Sequence, residues 1–175
     1  MDISALAEMI NGLGLRVRPA IPPQRLRSLE EQLGIRLPED YAAFVTQIGD
    51  GWEKQAVRGR LWQELRPVSA CEGPELLREP FPYTDAWIWE GRETDPLPGE
   101  SDAAWDRRVE ALMRPKRLGN LLLLRSGGEC FHLILNGECR GEMWAFTDVG
   151  IAPCLPRMSF SAWLTAWLDG VRRFT

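Results

Sequence analysis

The chain has one histidine, His132, and only two tyrosines in 175 residues. A single imidazole leaves no histidine cluster for a metal. The four cysteines, Cys71, Cys130, Cys139 and Cys154, are scattered and contain no C-x2-C pair of the kind structural zinc uses. No metal and no cofactor are therefore expected. Cysteines this sparse do not form a disulfide framework and read as the reduced thiols of a cytoplasmic protein. No apolar run approaches the roughly 20 residues needed to cross a bilayer. The start, Met1 to Glu8, carries acids and lacks the basic stretch and apolar run of a secretory signal. No concentrated basic face accompanies the net charge of −4, which argues against nucleic acid as a partner. Internal repeats and low-complexity tracts are missing too. So are the G-x-G-x-x-G and P-loop patterns: Gly127-Gly128 and Gly137 to Gly141 fall between strands and read as turns.

What is present suits one sizeable core. The length fits a single domain over 1–175, and an apolar content of 45% argues against disorder. Eight tryptophans are unusual at this length, and each must bury its ring or offer it to a partner.

Hydrophobic spacing predicts a short helix over 3–11, stopped by Gly12 and Gly14, and an extended lead-in over Leu13 to Ala20. Pro22 and Pro23 suit the first turn of a second helix carrying Leu26, Leu29 and Leu33, with Gly34 as its stop. A third helix opens at Pro38, with Tyr41, Phe44, Val45 and Ile48 on one face, and Glu39 and Asp40 compensate its dipole. A strand or two surround Val57, Leu61 and Leu65, and 70–79 reads as a short helix. Residues 80–117 break the rhythm and read as an insertion at the rim of the domain, with a helix from about Asp102 to Met113.

Four strands follow: Leu121 to Arg125, Cys130 to Leu135, one through Met143, Trp144 and Phe146, and Ile151 to Leu155. On the second of these, Phe131, Leu133 and Leu135 share one face while Cys130, His132 and Ile134 share the other. Ser159 is placed to cap a last helix whose Phe160, Trp163, Leu164, Trp167, Leu168 and Val171 form a wide apolar stripe. The fold class expected is α+β: a mainly antiparallel sheet with N-terminal helices and a C-terminal helix packed on it. Closure of that helix over the meander predicts a compact platform with no reactive pocket.

Two blocks of sequence resemble the SUKH superfamily, which includes bacterial immunity proteins. The first runs from Leu29 through Leu37-Pro38-Glu39-Asp40-Tyr41 to Gly51. The second comprises Leu133 to Gly137, Arg140 to Trp144, Gly150 to Pro153, Ser159 to Trp163 and Trp167-Leu168. Together they cover about half the chain, and 80–117 has no counterpart in the resemblance. The resemblance implies a helix-and-sheet domain that binds proteins: an immunity-type module that neutralises a cognate toxin by occluding it. An adaptor or scaffold domain for a secreted or regulatory partner is the alternative. Neither is an enzyme.

Catalytic chemistry has one candidate pair. Cys130 and His132 share a strand face, but their separation is long for a hydrogen bond and no third orienting residue is evident, so both read as structural. A Cys/His enzyme remains the lesser alternative. The segment from Asp85 to Asp106 reads differently, since it holds seven acids against Arg92 alone. In it Trp87, Trp89, Glu90, Glu93, Asp95, Glu100, Asp102 and Trp105 form the candidate partner-binding surface. The acids would steer a toxin with a basic cleft, and the tryptophans would anchor it. The opposing reading is a solvated acidic loop whose tryptophans tuck back onto the domain.

Overall fold

Prolines and left-handed glycines set the helix ends. In the computed structural model, which describes residues 3–71, 73–90 and 92–172, α1 spans Ile3–Leu13, α2 Pro23–Leu33 and α3 Glu39–Gln47. Helix α1 runs through Gly12, which a helix tolerates, and breaks at Gly14, whose φ of 74° leaves the helical region. Helix α2 has proline in its first turn and ends on Gly34 at φ 67°, whose amide closes onto the carbonyls of Glu30 and Glu31. Pro38 stands one residue ahead of α3, at its N-cap.

A hairpin of β1 (Gln55–Val57) and β2 (Arg60–Trp62) follows. The helix expected over 70–79 is replaced by two 3₁₀ turns, Val68–Ala70 and Leu76–Arg78. Gly73 (φ 61°) and Pro74 lie between them and leave no room for a continuous helix. The short strand β3 (Trp87–Ile88) and helix α4 (Asp102–Met113) lie in the 80–117 region. Four strands then form an antiparallel meander: β4 (Asn120–Ser126), β5 (Glu129–Ile134), β6 (Met143–Phe146) and β7 (Gly150–Pro153). Strand β3 pairs antiparallel with β7, giving a five-stranded sheet in the order β3-β7-β6-β5-β4. Helix α5 (Phe160–Arg172) closes the chain. The architecture is α+β.

The period-two alternation of β5 divides the core in two. Leu133 and Leu135 are buried among the helices with Phe131 packed beside them, whereas Ile134 is buried on the opposite side with Trp144, Ile151 and Phe81. On the first face, Phe160, Trp163, Leu164 and Leu168 of α5 are buried, and the Trp163 ring meets Phe131 at 5.3 Å between centroids. Phe160 also contacts Tyr41 (4.8 Å) and Phe44 (5.0 Å) of α3, so helices and sheet share one aromatic cluster. Val171, given to the same stripe by its spacing, lies outside the residues whose side chains are described.

Two acids brace the helices, Glu30 locally and Asp40 across the length of the chain. Buried Glu30 accepts the amide of Leu37 and the Arg36 guanidinium, both at 2.8 Å. Asp40 accepts the amide of Tyr41 with one oxygen and that of Ser161 with the other, each at 2.9 Å. The free amides at the start of α5 thus draw on Asp40 of α3, where Ser159 was expected to serve as the cap. Asp40 does more than offset its own helix dipole: it ties α3 to α5.

The 80–117 region is more than a rim insertion. Its first part covers the second face of the sheet, with Phe81 edge-on to Trp144 at 4.9 Å and Tyr83 packed against Phe81 and Trp87. The chain reaches that face through a narrow gap. A side chain on Gly137 (φ 97°) would come within 2.7 Å of the Phe81 carbonyl, and one on Gly119 (φ 59°) within 2.5 Å of the Glu79 carbonyl.

Removal of the Trp163 ring empties a site walled on two sides by sheet and helix. Trp163→Ala is expected to lower unfolding free energy by about 3–5 kcal/mol. Trp167→Ala, at a half-buried ring, is expected to cost less; urea denaturation of the two variants against the wild type reads both.

Candidate functional site

The second face of the sheet is only partly covered. Between β4–β6 and the covering segment lies a cleft of about 760 Å³, lined by His132, Cys130, Asn120, Phe146, Trp89 and Lys116 among others. The compact platform with no reactive pocket expected from the sequence is therefore corrected in its geometry: the second face carries a cleft, and the lone imidazole lines it. Helix α5 seals the first face, but one face of a twisted sheet says nothing about the other, and residues 80–117 close that one incompletely.

His132 is the best-determined group in the cleft. Its Nδ1 lies 2.7 Å from Asn120 Oδ1, while Asn120 Nδ2 donates to the carbonyls of Lys116 (2.8 Å) and Leu118 (2.9 Å). Two carbonyl acceptors on Nδ2 fix the amide orientation, so Oδ1 must accept and the proton sits on His132 Nδ1. The lone pair remains on Nε2. The Phe146 ring stacks on the imidazole at 4.0 Å and 14°. Burial pushes the imidazole down to about 3, and the positive charges of Arg125 and Arg66 push in the same direction. The ring is neutral at physiological pH.

Asn120 is thus the orienting residue that sequence reasoning missed. It sits on β4 across from Ile134, two steps along the ladder from the Leu122–His132 pair and so on the same face. Cys130 shares the His132 face and lines the same cleft, but among the described residues its thiol makes no hydrogen bond to the imidazole. Catalysis by a thiolate–imidazolium pair has no contact to start from in this conformation.

None of the eight tryptophans is exposed. Trp87 and Trp89 meet edge to face at 4.9 Å, and the Lys116 ammonium lies over both rings, 4.0 Å from one centroid and 3.3 Å from the other. Burial lowers Lys116 to about 8, against the opposing charge of Glu93. Trp105 donates its indole N–H to the Thr94 carbonyl at 2.7 Å. The three rings belong to the wall of the molecule, which is the tucked-back alternative.

The acids divide as well. Glu100 is engaged: Arg108 Nε and Nη2 bind its two oxygens at 3.0 and 2.8 Å, and the Leu97 amide adds a third hydrogen bond. That guanidinium, followed by the amide, holds the carboxyl down to about 2. Arg108 also donates to the carbonyls of Glu93 and Asp95, so it organises the acidic loop from the first turns of α4. Glu93 is half-buried with Oε2 unpartnered, whereas Glu90, Asp95 and Asp102 are exposed. What stands free in this region is apolar as well as acidic: Ile88 is 68% exposed and Leu97 55%, and Val149 beside β3 is 62% exposed. Among the described residues no group of three or more His, Cys, Asp or Glu is placed to hold a metal ion, and no helix is long and apolar enough to cross a membrane.

The depressed His132 value makes stability pH-dependent with a defined sign. An unfolded chain takes up a proton near pH 6.5, but the folded chain refuses it until about 3. The stabilisation is full above that upper value and is lost as pH falls through the window. Compared with His132→Gln, the wild type is expected to lose about 1 kcal/mol more per pH unit between pH 6 and 4. Parallel urea midpoints for the two proteins across that range would show instead that the imidazole titrates normally.

No protein-family model, no curated protein and no solved structure matches this chain, so the likeness to the SUKH superfamily rests on the residues quoted for it.

Proposed function

We propose that this chain is a protein-binding module of the immunity type, which neutralises a cognate toxin by covering it. The observation that carries the reading is the open sheet edge. Strand β3 is terminal in the sheet, its Ile88 is exposed next to exposed Val149, and the acids Asp85, Glu90 and Asp148 flank them. Apolar side chains on an unpaired strand edge favour association, and surrounding carboxylates favour a basic partner. The anchors on this reading are Ile88, Val149 and Leu97, in place of the tryptophans.

Contact between the two SUKH-like blocks adds support. Arg140 of the second donates to the Leu37 carbonyl of the first at 2.9 Å, Asp40 binds Ser161, and Tyr41 packs on Phe160. Residues quoted for a family likeness are coherent when they build one substructure.

Where a large secreted protein is encoded beside this chain, co-expression of the two is expected to restore growth and yield a co-purifying complex. Ile88→Asp, at an exposed position, is expected to abolish both while leaving the melting temperature within a few degrees. Absence of rescue and of a complex with the wild type would refute the reading. Rescue that requires the secretion machinery would favour the adaptor role.

The cleft gives a specific reason to keep a second reading, an enzyme using Cys130 with His132 as base and Asn120 as its orienting residue. Cys130→Ser decides it: growth rescue equal to wild type removes the reading, and loss of rescue by a folded variant supports it.

A further inference from the structure

The cleft over His132 holds a hydrogen-bond acceptor that the protein itself leaves unused. We propose that this cleft binds a small uncharged molecule with an aromatic ring and one O–H or N–H group, the ring lying between sheet and cover and the proton donated to His132 Nε2. The inference is independent of the toxin-binding reading, and it asks no chemistry of Cys130.

The acceptor is built in place. Asn120 Oδ1 accepts the Nδ1 proton at 2.7 Å and is itself pinned by two backbone carbonyls on Nδ2, so the imidazole cannot change tautomer without breaking that chain. Phe146, stacked at 4.0 Å, holds the plane of the ring. The Nε2 lone pair is therefore fixed in position, and among the described residues no donor meets it. An acceptor held out of water without a donor is costly. This one borders a cavity of about 760 Å³, in the range of pockets that enclose small organic ligands.

The walls define the rest of the ligand. Leu122 and Phe146 stand on the second face of the sheet, Leu122 directly across the ladder from His132, while Trp89 and Met113 come from the covering segment. All four line the cleft and are only half-buried, so the chain leaves apolar surface there that a flat ring would cover. Water can give a proton to Nε2 but leaves those side chains wet. Charge selects against an ion. Glu93 opposes Lys116 and Arg117 pairs with Glu110, so these two cations have carboxylates of their own. At Nε2 the charges of Arg125 and Arg66, which already oppose a proton on the ring, oppose an ammonium donor equally. A carboxylate oxygen has no proton to give and would meet the lone pair head-on. A neutral hydroxyl or ring N–H fits.

Three probes share one ring system: 2-naphthol, 2-methoxynaphthalene, in which the donor is blocked, and the anion 2-naphthoate. Each is titrated into the full chain, with calorimetry for affinity and stoichiometry and nitrogen NMR of the imidazole as the reporter. His132 is the only histidine, so its two ring nitrogen signals are unambiguous. 2-Naphthol is expected to bind one equivalent about tenfold more tightly than either of the others, the loss that follows when an enclosed acceptor forfeits its donor. At saturation it is expected to move the Nε2 signal upfield, the direction of hydrogen bonding, while 2-methoxynaphthalene leaves that signal in place. Leu122→Trp, checked for fold by circular dichroism, is expected to fill the cleft and abolish binding. Equal affinity for naphthol and its methyl ether, tighter binding of the naphthoate, or an Nε2 signal that does not move would each overturn the proposal. So would several equivalents bound, no binding at millimolar concentration, or binding that persists in Leu122→Trp. If that variant does not fold, the nitrogen shift and the probe pair in the wild type decide.

Discussion

A β-strand that carries apolar residues on both faces needs two covers, and this requirement organises the molecule. On β5 and the residue that follows it, Phe131, Leu133 and Leu135 lie on one side and Cys130, His132 and Ile134 on the other. The first side meets α5, whose stripe of Phe160, Trp163, Leu164 and Leu168 is continuous and rigid. The second meets a chain excursion with little regular structure. A helix can present large side chains every three to four residues along its length. A loop rich in proline and acids covers a surface only where particular residues reach it, here chiefly Phe81, Tyr83 and Trp87. The cleft is what that unevenness leaves.

The two ends of the second face differ in electrostatic character for the same reason. Where the cover is dense, around Phe81 and Trp144, the surroundings are aromatic and dry. Where it thins, polar groups enter: Lys116 lies between Trp87 and Trp89, and burial, seconded by the charges of Arg125 and Arg66, keeps His132 unprotonated. Among the carboxylates of the excursion, Glu93 opposes the charge of Lys116. Glu100 is committed to Arg108, and most of the others face water. One segment thus turns an acidic outer surface to solvent while its inner side borders the cleft.

Periodicity made much of this fold legible from residues alone. Helix α3 was readable from Tyr41, Phe44 and Val45, and α5 from its stripe, because both bury one face against a large partner and the spacing records it. The alternation on β5 was readable in the same way. The second cover was not, since proline-rich segments pack through individual contacts that no period announces. The same limit hid Asn120 and Lys116. Asn120 begins a strand and reaches His132 across the ladder, a relation set by the register of β4 on β5 and not by nearness in sequence. Lys116 lies outside the acidic window that holds Trp87 and Trp89, so the window alone leaves partner anchors and tucked-back rings both open, and the rings' partner is in the same chain. Arg108, just beyond the same window, altered the standing of Glu100 in the same way.

The separation of the exposed edge from the cleft has a mechanical consequence. Both belong to the excursion: Ile88 faces solvent on β3, and its neighbours Trp87 and Trp89 alternate inward to hold Lys116. Strand β3 is only two residues long, pairing with Ile151 and Gly150, so its position depends heavily on those two rings. Edge and cleft are thus two sides of one thin layer, joined by the alternation of three consecutive residues.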